Sequence, residues 1–379
     1  MREVDYWLWL SSLAGLGPVK ARRLLEVYGH PQVIYHLPEE KLKQQGLLTP
    51  KNIEEILGRE KRERIDKITD LMLKKDIKLI TFLDKSYPEK LKHIYDPPVA
   101  LYYRGSFALS EFSVAVVGSR RTTNYGSITA KKLSYELALR GVQIVSGMAR
   151  GIDSIAHEGC LDAGGKTVAV LGCGPDYIYP PENARLYEGI LGAGGLILSE
   201  YPPGTPPMQY NFPARNRIIS GISSGVLIVE AAQRSGSLIT AALALEQGRE
   251  VFAVPGNIDC AYSRGTNSLI REGAKIVLGV EDILEEFDYR EEKATVTGNG
   301  DTAGRRAGNT ASGAGHKLYF GLSTGEIRVI KTIQKGIHHI DEIIQHSNIS
   351  ISEINNILFM LEMKGVVAQM PGKFFELCP

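Results

Sequence analysis

A parallel α/β sheet with helices on both faces is the fold this sequence predicts. A small helical region precedes it and a winged-helix-like module follows it. Three observations predict the central fold. From Ser113 to residue 287, short apolar β-branched runs alternate with segments of helical length. Runs such as Ser113–Val117 are apolar throughout, the pattern of strands covered on both faces. Short Gly-rich turns join strand to helix, as right-handed crossovers require.

The whole-chain numbers set the frame. A length of 379 residues allows two or three domains, and 43% hydrophobic with 23% charged content describes a globular chain. A net charge of +1 gives no overall signature of nucleic acid, so any such site must be local. Residues 111–290 carry 16 Lys+Arg against 19 Asp+Glu, yet 12 of the 16 are Arg. Arginine suits bidentate phosphate contacts and stacking, so the arginines of this otherwise acidic block are the ones to follow. Cys160, Cys173, Cys260 and Cys378 lie far apart, without metal-ligand spacing, and read as reduced thiols of a cytoplasmic protein. No signal peptide and no membrane-spanning run is expected.

In order, residues 1–85 are expected to be helical. Leu13 to Leu25 resembles a helix-hairpin-helix element, with a Gly-bounded turn, a Pro opening the next helix, and Lys20, Arg22 and Arg23 near its start. Such a hairpin can hold a backbone phosphate, but a small accessory bundle without direct DNA contact is the favoured reading. Glu54–Lys75 is a charge-rich, solvated helix. Ser86–Gly105 is a Pro-containing connector with a short strand at Val99–Tyr103. Strands are then expected at 113–117, 142–146, 167–171, 195–199, 225–230, 250–254 and 275–278. Helices are expected at 126–140, 151–163, 182–191, 213–221, 236–247, 266–272 and 280–287. The core is bounded at 86–290. Residues 291–316 read as a flexible linker, since Ala294–Gly315 is rich in Gly, Ala and Thr. Within 317–379, helices at Thr324–Lys335, Ile340–His346 and Ser350–Lys364 precede strands at Val366–Gln369 and Phe374–Leu377, the outline of a winged helix. Its third helix is poor in bases, so protein contact or weak duplex contact suits it as well as base reading.

Ligands of open parallel sheets sit at the carboxyl ends of the strands, near a topological switch point. The turns there bring Gly118-Ser-Arg-Arg, Ser146 to Asp153, Gly172 to Asp176, Glu200 to Gly204 and Glu230 to Ser237. Backbone donors, hydroxyls and guanidinium groups form a phosphate-binding inventory. Thr122, Thr123 and Asn124 offer a helix cap beside Arg120 and Arg121, and a helix start suits an anion. Tyr210, Phe212, Arg215 and Arg217 form the densest cluster. Either the aromatics stack on unpaired bases while the arginines hold the backbone, or Phe212 is core and one arginine pairs with Glu200 or Glu230. His157 reads as a packed or capping histidine. No catalytic constellation and no metal or cofactor site is expected.

These segments resemble a known family. VAVVGSR at 114–120, SGMARGIDSIAH at 146–157, YPPEN at 179–183, SEYPPG at 199–204, NFPARNRIISGIS at 211–223, VEAAQRSGSLITAALAL at 229–245 and VFAVPGNID at 251–259 occur here in the order of the DprA/Smf DNA-processing family of natural transformation. The resemblance implies an extended Rossmann-like core that binds single-stranded DNA and dimerises. It also implies a mediator that loads RecA onto incoming strands coated by single-strand-binding protein. Carried onto this chain, the strand-binding residues are Gly118, Ser119, Arg120, Phe212, Arg215, Asn216 and Arg217, with Ser146, Gly147, Ser235 and Ser237 lining the same pocket and Arg185 beside it. The dimer surface is expected near Ile270–Leu284. Two other functions stay open. The core also resembles nucleotide phosphoribohydrolases, though Pro255-Gly256-Asn257 lacks their Pro-Gly-Gly turn and 235–245 lacks their catalytic Glu. A scaffold holding a small phosphorylated ligand is the other.

Overall fold

The structure, a computed structural model, describes residues 1–287 and 324–377 apart from 14, 45, 59, 348, 350–353, 355, 356, 359, 363–365 and 371. The chain divides into two compact units, Met1–Lys293 and Ala294–Pro379. The linker expected at 291–316 lies outside the described residues.

The first unit opens with six helices, α1 (Glu3–Ser11), α2 (Gly17–Tyr28), α3 (Pro31–Tyr35), α4 (Glu39–Gln44), α5 (Pro50–Leu57) and α6 (Lys61–Lys75). They enclose Trp7, Trp9, Leu24, Ile34, Leu42, Ile56 and Ile65. The turn between α1 and α2 is closed internally. The Gly15 amide donates to the Glu55 carboxylate at 3.1 Å, Asn52 donates to the Gly15 carbonyl, and Lys20 donates to Asn52. The Glu55 carboxylate therefore occupies the amide of this turn.

Two strands precede the main alternation: β1 (Lys78–Thr81) and β2 (Ala100–Gly105), separated by α7 (Glu89–Lys92). Then follow β3 (Ser113–Val117), α8 (Asn124–Leu139), β4 (Gln143–Ser146), α9 (Ile152–Asp162), β5 (Thr167–Leu171), α10 (Ala184–Gly192) and β6 (Leu196–Ser199). The chain continues through α11 (Asn211–Ile222), β7 (Gly225–Ile228), α12 (Gly236–Glu246), β8 (Glu250–Ala253), α13 (Arg264–Arg271), β9 (Lys275–Ile276) and α14 (Glu281–Glu286). The nine strands form one sheet in the order β1-β2-β6-β5-β4-β3-β7-β8-β9. From β6 to β9 every pairing is parallel, with Ser146 opposite Ala169 and Val117 opposite Ile228. At the other edge β2 pairs antiparallel with both β6 and β1. The expected connector strand is thus an integral sheet member. β1 has no counterpart in the sequence reading, because four residues after a lysine-rich helix show no clear alternation.

All five residues of β3 are buried. Successive side chains point to opposite faces. Ala115 and Val117 meet Ile218, Ile219 and Ile222 of α11 and Ala241 and Ala244 of α12. Val114 and Val116 meet Ala130, Leu133 and Leu137 of α8 and Ile152, Ala156 and Cys160 of α9. Each fully buried aliphatic side chain contributes about 1.5–3 kcal/mol, so this strand anchors both layers. After β3 the chain fills β4 to β6 on one side, then crosses to β7 to β9 on the other. The switch point lies between the carboxyl ends of β3 and β7.

In the second unit, α15 (Thr324–Gln334) and α16 (Ile340–Ser347) pack with Ile354, Leu358, Leu361, Val367 and Phe375. The hairpin β10 (Val367–Met370) and β11 (Phe374–Leu377) forms the wing, turning through Gly372 and Lys373 at φ 85° and 64°. Of the third expected helix, residues 354, 357, 358 and 360–362 are helical, and the remaining positions lie outside the described residues.

Candidate functional site

A cavity of about 510 Å³ opens at the switch point. Three turns build it: Val117 to Arg121 after β3, Phe212 to Ile219 on α11, and Ser235 to Thr240 opening α12. Ala149, Asp153 and Tyr262 complete the wall. A second hollow of about 460 Å³, beside Gly15, Lys51, Glu54 and Glu55, carries carboxylates and is ill suited to an anion.

The cavity's cations are held in two ways. Arg120 and Arg121 are exposed and form no ion pair among the described residues. Arg120 sits over the Phe212 ring, with its Cζ 5.7 Å from the centroid. Arg215 is only 3% exposed. Its guanidinium donates to the Gly147 carbonyl at 2.7 Å and to the Val170 carbonyl, and its Nε donates to Asn216 Oδ1. Burial pulls the Arg215 pKa down and the Asp153 carboxylate pulls it back up. Its hydrogen bonds go to neutral groups, and the Asp153 carboxylate lies close to its charge at the cavity floor.

Asp153 is the acidic residue of the described wall. Burial pushes its carboxyl up to about 6, against the Arg215 charge and the amides of Ala149, Gly147 and Gly118. The Gly147 amide lies 3.2 Å from its Oδ2. A Cβ on Gly147 would fall 2.7 Å from both Arg215 Nη2 and Asp153 Oδ2, so only glycine lets these two side chains approach one loop. Below them His157 is fully buried, its Nδ1 2.7 Å from the Thr167 hydroxyl. That hydroxyl donates to the Ile144 carbonyl, so His157 Nδ1 carries the proton toward it. Burial, then the Arg215 charge, holds His157 down to about 3.

The start of α12 supplies further donors. Ser235 caps it, accepting from the Ser237 amide at 3.3 Å, and the two hydroxyls meet at 2.7 Å. The positive end of an 11-residue helix therefore faces the cavity. Across from it Thr123 caps α8 and Glu230 accepts from the Thr123 amide at 3.0 Å.

Eight of the expected residues meet here: Gly118, Ser119, Arg120, Phe212, Arg215, Asn216, Ser235 and Ser237. Ser146 and Gly147 stand behind the wall. The Ser146 hydroxyl is spent on the Val116 carbonyl and Gly147 positions Arg215. Arg185 is exposed at the start of α10 and does not line the cavity. Arg217 is also displaced. Its guanidinium binds Asp96 at 2.9 Å and Glu200 at 2.6 Å, and it is 5% exposed. Burial pulls its pKa down, and Glu200 and Asp96 more than restore it. The alternative of an arginine paired with Glu200 thus describes Arg217, whereas Phe212 is half-buried at the cavity rather than core. Arg121, read with Arg120 as an anion signal but not among the strand-binding residues carried over, lines the cavity, as does Asp153, which was visible in a strand-end turn but not singled out. Tyr262, in the loop before α13, and Ile239, on α12, carried no sequence signal, because nothing local ties them to β3.

The family model described as DNA recombination-mediator protein A matches residues 78–288, and the DprA winged helix domain matches 319–373. Protein Smf of Synechocystis sp. is 34% identical over 99% of this chain and 98% of its own length. DNA processing protein DprA of Streptococcus pneumoniae, by its X-ray structure, is 38% identical with a TM-score of 0.58, covering 76% of this chain and 99% of that one. DNA processing protein A of Helicobacter pylori, studied for its single-stranded DNA binding mode, is 34% identical with a TM-score of 0.51 over 56% of this chain and 98% of that one. With the doubly wound sheet, the winged-helix unit and the ordered strand-end turns all matched, the chain belongs to the DNA recombination-mediator protein A family.

Proposed function

We propose that this protein binds single-stranded DNA without sequence preference at the switch-point cavity and passes it to a RecA recombinase during DNA uptake. One observation carries the reading. Two unpaired guanidinium groups and a half-buried phenylalanine share a cavity with a buried, carbonyl-held arginine and the start of α12. Arginines and main-chain amides neutralise phosphates, while the Phe212 ring offers a sequence-tolerant face to bases. The Helicobacter relative's single-stranded DNA binding and the mediator description of the family support it. Arg120, Arg121, Phe212, Asn216, Ser235 and Ser237 are the contacts proposed, over a floor made by Arg215.

Oligo-dT affinity measured by anisotropy is expected to fall about twentyfold between 50 and 200 mM salt, as three phosphate contacts predict. Arg120→Ala is expected to weaken it severely and to flatten that slope. Unchanged binding would move the site elsewhere. The mediator step is tested by RecA filament assembly on strands coated with single-strand-binding protein, with and without this protein; no acceleration refutes it. Homodimerisation is proposed through Ile270–Leu284, where β9 ends the sheet and Ile276 and Leu278 are exposed. Sedimentation of Leu278→Glu as a monomer would support that surface. We read the protein as a cytoplasmic binder that leaves covalent bonds intact. Asp153 serves as an acceptor of main-chain amides, so incubation with nucleoside monophosphates is expected to release no base.

A further inference from the structure

We propose that Tyr179 is a second base-stacking subsite, taking the nucleotide next to the one held at Phe212, so that the strand leaves the cavity along the 177–183 segment. The inference rests on the strand-binding reading above and adds a direction and a residue to it. Tyr179 is not among the cavity-lining residues. Its ring lies 5.3 Å from that of Phe212, centroid to centroid, at an interplanar angle of 30°. Tyr179 keeps 36% of its surface exposed. A ring stacked on one face retains the other, and every nucleobase has a face to offer it.

The platform is built rather than incidental. Phe212 is seated against Gly172, where a Cβ would lie 2.8 Å from its Cδ1. One side chain of the segment carrying Tyr179 ties it both to the loop after β4 and to α9. The Asn183 amide donates to the Met148 carbonyl at 2.9 Å and to the Ser154 hydroxyl at 2.8 Å. Arg150 and Glu182 form an ion pair beside it. A ring held this way loses little entropy when a base docks. Arg120 and Tyr179 both adjoin the Phe212 ring, so a guanidinium and two aromatic rings lie next to one another at this end of the cavity. Tyr177, 38% exposed, lies two residues earlier on the same segment.

The test compares thymidine monophosphate, read by NMR shift titration, with a dT oligomer, read by anisotropy, on the full chain. Tyr179→Ala and Tyr179→Leu are expected to weaken the oligomer about tenfold, the loss of one stacked base, and to leave the mononucleotide unchanged. Tyr179→Phe is expected to match the parent, and Phe212→Ala to weaken both ligands. The leucine variant keeps apolar packing on Phe212 without an aromatic face, which separates stacking from folding. Tyr179→Leu binding the oligomer like the parent would overturn the proposal. So would an equal loss for both ligands, which would make Tyr179 a buttress for Phe212. A parent protein that binds neither ligand would instead refute the strand-binding reading itself.

Discussion

Arg215 and Arg217 stand two residues apart on α11, about 200° around its axis, and that rotation gives them different roles. Arg215 looks into the cavity on carbonyl hydrogen bonds, while Arg217 is a structural cation between Asp96 and Glu200. Arg217→Ala would strand two carboxylates that are themselves partly exposed, so a loss of about 2–4 kcal/mol is expected, discounted from a fully buried pair. Urea denaturation reads it; a stability equal to that of Arg120→Ala would contradict the assignment. Beneath the cavity, Asp153 and His157 oppose each other in pH. The Asp153 pKa is raised from 3.8 to about 6, so its stabilising contribution is complete below 3.8 and is lost as pH rises through 6. The His157 pKa is lowered from 6.5 to about 3, so its contribution is complete above 6.5 and is lost as pH falls toward 3. Between about pH 6.5 and 4 the two offset each other. Asp153→Asn leaves only the histidine, so its melting temperature should fall more steeply from pH 7 to 5 than the parent's. Parallel slopes would show that one of the two groups is not buried as drawn.

Elements differ in how much of them local chemistry declares. The parallel strands were legible because they are buried on both faces, so their apolar runs are unbroken; β3, β4 and β5 fall within a residue of their expected bounds. Helix starts were legible where a hydroxyl caps them, as Thr123 does for α8 and Ser235 for α12. At the edge of the sheet the strand expected at Val99–Tyr103 is present as β2, but its place in the sheet and the whole of β1 were not legible. β2 owes its place to pairing with β6, about a hundred residues away in sequence, and β1 owes its place to pairing with β2. The same limit hid Arg217, since Asp96 lies 121 residues from it. Glycine-bearing turns sit between these cases: their sequence says that something approaches closely, without saying what. At Gly147 the structure answers with Arg215 and Asp153. Gly147→Ala must push both side chains away, which overpacking places at about 1–3 kcal/mol of stability. Because Arg215 moves with it, oligo-dT affinity should fall as well. A variant as stable as the parent, with parental affinity, would mean that the loop has room the structure does not show.

At the scale of the molecule, every described residue of the cavity lies between 117 and 262, inside the unit Met1–Lys293. That unit also has its own reason to be complete at its other end. The helical region closes over Val99 and Tyr102, and the Tyr102 hydroxyl meets Ser11 Oγ at 2.7 Å, so the first six helices share a core with the sheet's edge. The winged-helix unit buries Val329, Ile330, Ile343, Leu358 and Phe375 in a cluster of its own residues. A unit with a core of its own can fold by itself. A fragment of residues 1–293 should therefore fold cooperatively and keep oligo-dT affinity within about a factor of two of the full chain, with the same salt slope, because the phosphate contacts that set that slope are all retained. Anisotropy titrations of fragment and full chain at two salt concentrations decide it. A tenfold loss together with a flatter slope would place basic contacts in the winged-helix unit, and the cavity alone would no longer account for strand binding.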